Sequence, residues 1–263
     1  MSVDSGSGDG PGFEGDDKQP NDYHNIKGTS MAAPFVAGCA GLVIEALQER
    51  RIMQGVDPAH VWDFDSGKDS LFIKMVLCAT ATETGKLRED GNEAFSPPLQ
   101  RAEPGPMGYP PGKDPYEGYG MINADAAVEA VYLEYAWSTE QSDSFGGGPR
   151  DRRAWARWVR LEAGVEYVVT LTHNKWADFD LYLYDEEPGH TGTPTILASS
   201  TTAWSYDPDP LPPCTGRTCP PTLVPGDPHE SIVYVPSEDK NALLVAKRVA
   251  GSGDFTINSS VME

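Results

Sequence analysis

The sequence predicts an α/β part in residues 1–136, followed by an all-β antiparallel sandwich in residues 137–263. Two observations support this division. Up to Trp137, apolar residues recur at spacings of three and four, which is typical of helices that bury one face. Beyond it, apolar and polar residues alternate in short runs bounded by turn residues, as in antiparallel sheets. A length of 263 residues suits one large domain or two small ones.

The first predicted element is a helix. Residues 1–22 are rich in Gly and Asp and are expected to form a loop or a frayed end. The helix runs from Thr29 to about Arg51, with two arginines in its last turn, where positive charge suits the helix dipole. Its apolar stretch is interrupted by Pro34, by small residues and by a glutamate, so we expect a helix buried in a core and no membrane span. The expected apolar face consists of Val36, Cys39, Ala40, Val43, Ile44 and Leu47.

A second helix is predicted at Asp69–Thr80, where Asp69 or Ser70 would be the N-cap. Its apolar stripe consists of Phe72, Ile73, Val76 and Leu77. Residues 84–118 contain many Pro and Gly residues and show no hydrophobic period. We therefore expect them to form a long surface insertion.

A third helix is predicted from an Asn123 cap to about Tyr135, after a short strand near Met121. The stretch "DSFGGGPR" is interpreted as a linker to the sandwich. Residues 186–230 are rich in Pro, Thr and Gly and are expected to be mostly loop. The predicted strands of the sandwich are Trp155–Leu161, Tyr167–Thr172, Phe179–Tyr184, Ser231–Val235, Ala242–Lys247 and Asp254–Asn258.

The charge of the chain argues against one class of partner. Forty acidic and 20 basic residues give a net charge of −20, which repels phosphate backbones, so we expect no nucleic-acid binding. Such a surface suits a secreted protein or one that is exposed to salt. The first residues have no basic start and no apolar core, so no signal peptide is predicted within this sequence.

The four cysteines fall into two pairs of different character. Cys39 and Cys78 lie in apolar runs and are interpreted as buried small apolar residues. Cys214 and Cys219 lie in "PPCTGRTCPP", where a disulfide would indicate an oxidising compartment. The alternative is half of a metal site.

A serine lies at the start of the first helix. Ser30 follows Gly28 and Thr29, which leave room for a ligand to approach the backbone, and Pro34 falls where an early helical turn tolerates proline. The first N–H groups of a helix lack partners and suit a developing negative oxygen. A hydroxyl at this point could attack a carbonyl while a neighbouring N–H holds the oxyanion. The simpler alternative is that Ser30 caps the helix.

The stretch "GTSMAAPFVAG" resembles the serine block of the subtilisin-like serine proteases, the subtilases, and Phe35 replaces the usual His. "GYGMINADAAVEAV" is similar to the closing strand and helix of that family. The resemblance covers about residues 20–135 and implies the C-terminal part of a subtilisin-like parallel-sheet domain. It implies that Ser30 is the nucleophile and that its own N–H contributes to the oxyanion hole. The residues that would support the site are Gly28, Thr29, Met31 and Pro34.

The resemblance also implies partners that are not found here. Serine needs a base, and subtilases supply a His oriented by an Asp, in the chain order Asp, His, Ser. Residues 1–29 contain neither block, and Asp22 and His24 lie in a segment that supplies no base in the family. The remaining histidines are in unrelated contexts: His60, His173, His190 and His229. We therefore expect the Asp and His to come from an upstream part of the same protease, and this chain alone to be inactive.

Residues from about 140 to 263 resemble the pre-peptidase C-terminal domain, a β-sandwich often attached to secreted proteases. The resemblance rests on "LEAGVEY", "DFDLYLY" and "GSGDFTINSS". Asp178 and Asp180 share one face of a strand and, with Asp185, could hold calcium. The alternative is a solvated acidic edge that prevents aggregation. No cofactor is expected to be required, and calcium would be a structural ion.

Two functions are compatible with the sequence. The first is a secreted serine endopeptidase that acts on protein or peptide substrates through an acyl-enzyme on Ser30. The second is a secreted, non-catalytic binding or secretion module that carries a vestigial protease segment. Upstream Asp and His blocks would favour the first function, and their absence the second.

Overall fold

The structure is a computed structural model that describes residues 2–3, 23–24, 28–62, 66–82, 118–147, 151–174, 177–201 and 229–262. The chain divides into two compact units, Met1–Gly41 and Leu42–Glu263, which are described separately below. The border between these units falls within the first helix. The domain boundary after residue 136 stays a prediction.

The first unit contains a strand pair and the start of a long helix. Strands β1 (Ser2–Val3) and β2 (Tyr23–His24) pair antiparallel, with Ser2 opposite His24. Helix α1 spans Thr29–Met53 without interruption, which confirms the first predicted helix. Its length and apolar composition alone would allow it to cross a membrane. A core helix of a protein outside the membrane meets the same criterion, so the absence of a membrane span stays a prediction.

The apolar face of α1 is buried only towards its C-terminal end. The buried residues are Val43, Ala46, Leu47 and Arg50, all in the second unit. Phe35 and Val36 are 63% and 46% exposed, so the expectation of a fully buried helix is wrong for the first half. In the first unit, the described residues other than α1 itself are a glycine and two short strands, which are too small to cover such a face.

The second unit begins with the end of α1 and two shorter helices, α2 (Lys68–Ala79) and α3 (Ala124–Tyr132). A short 3-10 helix, Pro58–His60, lies between α1 and α2. The predicted N-caps of α2 are wrong, because Gly67, with φ of +67°, occupies that position and Asp69 lies in the first turn. A glycine adopts such a φ without steric cost.

Asn123 is at the N-cap position of α3, as predicted, but its side chain has a different role. It makes no cap hydrogen bond to α3. Its Nδ2 instead donates to Thr80 O at 2.8 Å and to Thr82 Oγ1 at 3.2 Å. Thr82 and Met121 also pair through their backbones. Asn123 therefore ties the start of α3 to the end of α2.

The antiparallel sandwich is present as two four-stranded sheets. Their strand orders are β3-β10-β5-β8 and β4-β9-β6-β7. All pairings between the described strands are antiparallel, so the parallel sheet of the predicted α/β part is not confirmed. The strands are β3 (Glu140–Phe145), β4 (Ala154–Leu161), β5 (Glu166–His173), β6 (Asp178–Asp185), β7 (Ile196–Ser200), β8 (His229–Tyr234), β9 (Lys240–Ala250) and β10 (Gly253–Met262).

The six predicted strands are confirmed, and two edge strands were missed. β3 overlaps the stretch interpreted as a linker, and β7 lies in the region expected to be mostly loop. Both strands are at the ends of their sheets. Phe145 is the one fully buried residue of β3, and no residue of β7 is fully buried. Such strands lack the strong alternation by which buried strands are found in a sequence.

The core of the sandwich lies between the two sheets. Alternate residues of β6, Phe179, Leu181 and Leu183, point into it. Across the strand pair, Leu183 is opposite Leu244 of β9, which is also in the core. Alternation along the strands thus fills the space between the sheets, as the period-two pattern predicts.

The second face of the sheet β4-β9-β6-β7 is also buried. Trp158, Tyr182 and Tyr184 are each only 4% exposed, although they do not belong to the core between the sheets. The helical segments of the second unit cover this face. Arg50 of α1 lies over the Trp158 ring, and Cys78 of α2 is close enough to Tyr184 to act on its pKa. The second unit is therefore built of three layers: helices, sheet and sheet.

The turn after β6 packs closely on α2. Lys74 Nζ donates to Thr191 O at 2.7 Å. Gly192 has a φ of +73°, and a Cβ there would lie 3.0 Å from the carbonyl oxygen of Leu71. The glycine is therefore required both by its backbone conformation and by the close approach of the helix.

Substitution of Gly192 tests this packing of the turn on α2. We expect Gly192→Ala to reduce the free energy of unfolding by about 2–4 kcal/mol, because backbone strain and overpacking act together. Gly164 is the matched control, since it has a φ of +77° but open space around a Cβ. Gly164→Ala should cost only about 1–2 kcal/mol. Urea unfolding of the full chain measures both, and equal losses would contradict the contact with α2.

Candidate active site

The turn that leads into α1 is formed by Gly28 and its hydrogen bonds to the first helical turn. Gly28 has a φ of +149°, in a region that favours glycine, and its carbonyl oxygen accepts from Met31 N at 3.0 Å and Ala32 N at 3.1 Å. Thr29 is the first helical residue and Ser30 the second. Their N–H groups are among those that a helix leaves without an intrahelical acceptor. Such N–H groups are available to an oxyanion.

Ser30 lies within the helix and is exposed, so it does not occupy the N-cap position. Within the described residues, its Oγ makes no hydrogen bond. Pro34 is four residues further on and has no N–H to donate to the Ser30 carbonyl oxygen. Of the five residues predicted for the site, Gly28 directly precedes α1, and Thr29, Ser30, Met31 and Pro34 lie in its first turns; their roles stay a prediction.

The histidine side chains that the structure describes all belong to the second unit and have local surroundings. His60 Nδ1 lies 3.6 Å from Asp57 Oδ2, and both side chains are largely exposed. His173 Nδ1 is 2.9 Å from Asn174 O, in a mostly buried position. His229 Nδ1 is 3.1 Å from Thr172 Oγ1. The prediction that the base for Ser30 lies outside this sequence is left untested by these contacts.

The three aspartates proposed as calcium ligands are not brought together. Tyr182 Oη donates to Asp180 Oδ2 at 2.8 Å, and Lys240 Nζ donates to Asp185 Oδ2 at 2.9 Å. Asp178 and Asp180 are buried, and their strand β6 lies inside its sheet, so a solvated acidic edge is also wrong. No group of three His, Cys, Asp or Glu side chains in the described residues could hold a metal ion.

The predictions for the four cysteines have different outcomes. Cys214 and Cys219 lie outside the described residues, so their disulfide stays a prediction. Cys39 and Cys78 are of intermediate exposure, so the interpretation of both as buried residues is wrong. Burial raises the pKa of the Cys39 thiol, which disfavours the reactive thiolate at neutral pH.

Two tyrosines of the second unit, Tyr119 and Tyr184, have raised pKa values. Burial, followed by the charge of Cys78, raises the pKa of Tyr119 to about 12. Burial, followed by the charge of Asp180, raises the pKa of Tyr184 above its ordinary value. Both tyrosines therefore remain protonated well above neutral pH, which suits packing rather than catalysis.

The sequence of the Ser30 segment matches a known family. Residues 11–95 match the model of the subtilase family, Peptidase_S8. This range includes Ser30 and the whole serine motif, so the recognition of a subtilase segment is confirmed. The predicted resemblance covered residues 20–135. The matched range begins earlier, at residue 11, and also ends earlier, at residue 95. No curated protein matches the chain.

Two solved structures are similar to part of the chain. One is the pre-peptidase C-terminal domain of a collagenase from Bacillus anthracis, with 8% identity, a TM-score of 0.34 and coverage of 49% of this chain and 93% of that one. The other is CorA, a surface-associated copper-binding protein of Methylomicrobium album BG8, with 9% identity, a TM-score of 0.32 and coverage of 47% and 93%. No argument about function rests on likenesses of this strength.

The raised tyrosine pKa values predict a loss of stability at alkaline pH. An unfolded tyrosine loses its proton near pH 10, whereas folded Tyr119 keeps it to about 12. The free energy of unfolding should therefore be unaffected below about pH 10 and should fall as the pH rises towards 12. Tyr119→Phe should reduce this fall by about 1 kcal/mol, after a discount for its partial exposure.

Urea unfolding at a series of alkaline pH values measures the effect. Tyr132→Phe is the control, because Tyr132 lies on α3 and is 37% exposed. A fall in stability that is the same in Tyr119→Phe as in the unsubstituted chain would contradict the assignment.

Proposed function

We propose that this chain is the serine-bearing part of a subtilisin-like serine endopeptidase, with Ser30 as the nucleophile. The observation that carries the proposal is the exposed Gly-Thr-Ser turn at the start of α1, inside the segment that matches the subtilase family. Ser30 Oγ attacks the peptide carbonyl carbon, and the Ser30 N–H donates to the oxyanion that forms. The peptide C–N bond then breaks, the amine leaves with the proton that the base took from Ser30, and water hydrolyses the acyl-enzyme that remains.

The proposal requires a base that is supplied by residues outside this sequence. A serine hydroxyl is a weak nucleophile until a neighbouring base takes its proton. In subtilases this base is a His oriented by an Asp, and both lie upstream of the serine. The chain by itself is therefore proposed to be inactive, and its partner is the segment that carries these two residues.

The exposed first half of α1 supports a missing partner of this kind. Phe35, Val36 and Leu42 are each more than 40% exposed along one helix. Contiguous exposed apolar surface marks an interaction site in a protein that stays in solution. A parallel sheet covered by helices, as the family resemblance implies, would bury such a face.

The setting of the enzyme is also a proposal. The acidic chain, with a net charge of −20, suits a secreted protease that acts on protein or peptide substrates rather than on nucleic acids. The mechanism needs no cofactor. A calcium ion would have a structural role only, and Asp178, Asp180 and Asp185 of β6 would not be its ligands.

A second candidate is a secreted binding or secretion module in which the protease segment is vestigial. One observation favours it. The core of the sandwich is assembled from residues between Tyr135 and Ile257, so it needs no residue of the serine motif. This candidate differs from the first in a measurable way, because it predicts that no upstream segment restores reactivity to Ser30.

Labelling with a fluorophosphonate probe tests the proposal. We expect the isolated chain to show no labelling above background, because Ser30 lacks a base. The coding sequence upstream of Met1 should contain the Asp and His blocks, in frame or one frameshift away. When that segment is joined to the chain, Ser30 should become labelled and peptide hydrolysis should appear.

Two variants control the experiment. Ser30→Ala should abolish labelling of the joined protein and lower hydrolysis by on the order of a millionfold, the loss known for subtilisin itself. Ser70→Ala removes another exposed serine, on α2, and should change neither reading. Rapid labelling of Ser30 in the isolated chain would refute the need for an outside base. Upstream sequence without either block would favour the non-catalytic candidate.

A further inference from the structure

Arg50 is the buried charged residue of α1 and links the helix to the sandwich. Its side chain is 6% exposed, and its Nη2 lies 3.0 Å from Glu186 Oε1, just after β6. Its Cζ lies 4.1 Å from the centre of the Trp158 ring of β4. Its Nη1 also reaches Val131 O of α3 at 3.5 Å. One guanidinium thus contacts α3, β4 and the end of β6.

Within the described part of the chain, little packs against the remainder of α1 to hold it in helical form. Residues 32–38 are all exposed. Pro34, Gly38 and Gly41 all disfavour a helix, and each glycine costs about 1 kcal/mol relative to alanine. Because most helical stability in proteins comes from tertiary packing, the first half of α1 depends on the half that is packed.

We propose that the sandwich anchors the C-terminal half of α1 through the Arg50–Glu186 pair, and that the helical form of residues 29–42 depends on this anchor. The role of Ser30 rests on the proposed function, whereas the anchoring of α1 does not. The sandwich is then a structural support of the catalytic helix rather than a detachable accessory. Helix α1 would be folded before its upstream partner binds, which reduces the ordering cost of that binding.

Glu186 offers a sharper test than Arg50. Glu186→Ala leaves the aromatic contact of Arg50 intact but removes its carboxylate partner, and a buried charge without a partner is strongly destabilising. Glu187 is the matched control, since it is adjacent, carries the same charge and is exposed. Glu186→Gln is the conservative variant, because it keeps an oxygen acceptor and removes the charge.

Hydrogen–deuterium exchange of the full chain, followed by mass spectrometry, measures the anchoring. We expect Glu186→Ala to accelerate exchange by about tenfold or more in peptides from residues 29–42 and 43–53. Peptides from β5 and β10, in the other sheet, should exchange as before. Glu187→Ala should change nothing, and Glu186→Gln should give an intermediate acceleration in the same two peptides.

Three results would overturn the inference. One is unchanged exchange in residues 29–42 when residues 43–53 accelerate, because the first half would then not depend on the anchor. Another is equal effects of Glu186→Ala and Glu187→Ala. The third concerns Glu186→Gln, which replaces Glu186→Ala as the test if Glu186→Ala unfolds the chain. Equal acceleration of exchange in every peptide of Glu186→Gln would then contradict a local anchor. None of these readings needs a reactive Ser30, so failure of the proposed endopeptidase function is seen separately, in the labelling of the joined protein.

Discussion

Burial of the sheet β4-β9-β6-β7 on both faces is the constraint on which the second unit depends. Residues of β6 alternate between the core of the sandwich and a second buried layer beneath the helices. Removal of the helices would expose Trp158, Tyr182 and Tyr184 together, a large apolar surface at about 25 cal/mol for each Å². Helices and sandwich therefore stabilise each other through this sheet.

Much of the fold could be predicted because its signals are local. Helix α1 and six of the eight sandwich strands follow from hydrophobic periods of three to four and of two residues, which a short stretch of sequence is enough to show. Strands β3 and β7 were missed because they bury few residues, one in β3 and none in β7, and so show no strong apolar alternation. The N-caps of α2 and α3 differ from the prediction for two reasons. Gly67 begins α2 because the backbone there has a positive φ, and the Asn123 side chain donates to Thr80 at the end of α2 rather than to its own helix.

In the candidate site, too, some features are specified by neighbouring residues in the sequence and others by residues that are far apart in it. The start of the helix at Thr29 was predictable from the local sequence, whereas the positive φ of Gly28 was seen only in the structure. The role of Arg50 was not predictable, since its partner Glu186 is 136 residues away. In the sequence, Arg50 is one of two cations in a last helical turn, where an interaction with the helix dipole is a sufficient explanation.

The backbone pairing of Thr82 with Met121 has a consequence for evolution. The two hydrogen bonds, of 3.0 and 2.7 Å, hold the ends of the intervening segment side by side. The entropic cost of closing a loop rises only with the logarithm of its length, by roughly 0.6 kcal/mol for each doubling. Lineages can therefore lengthen, shorten or replace the residues between these two positions while α2 and α3 stay joined, so variation among relatives should concentrate there.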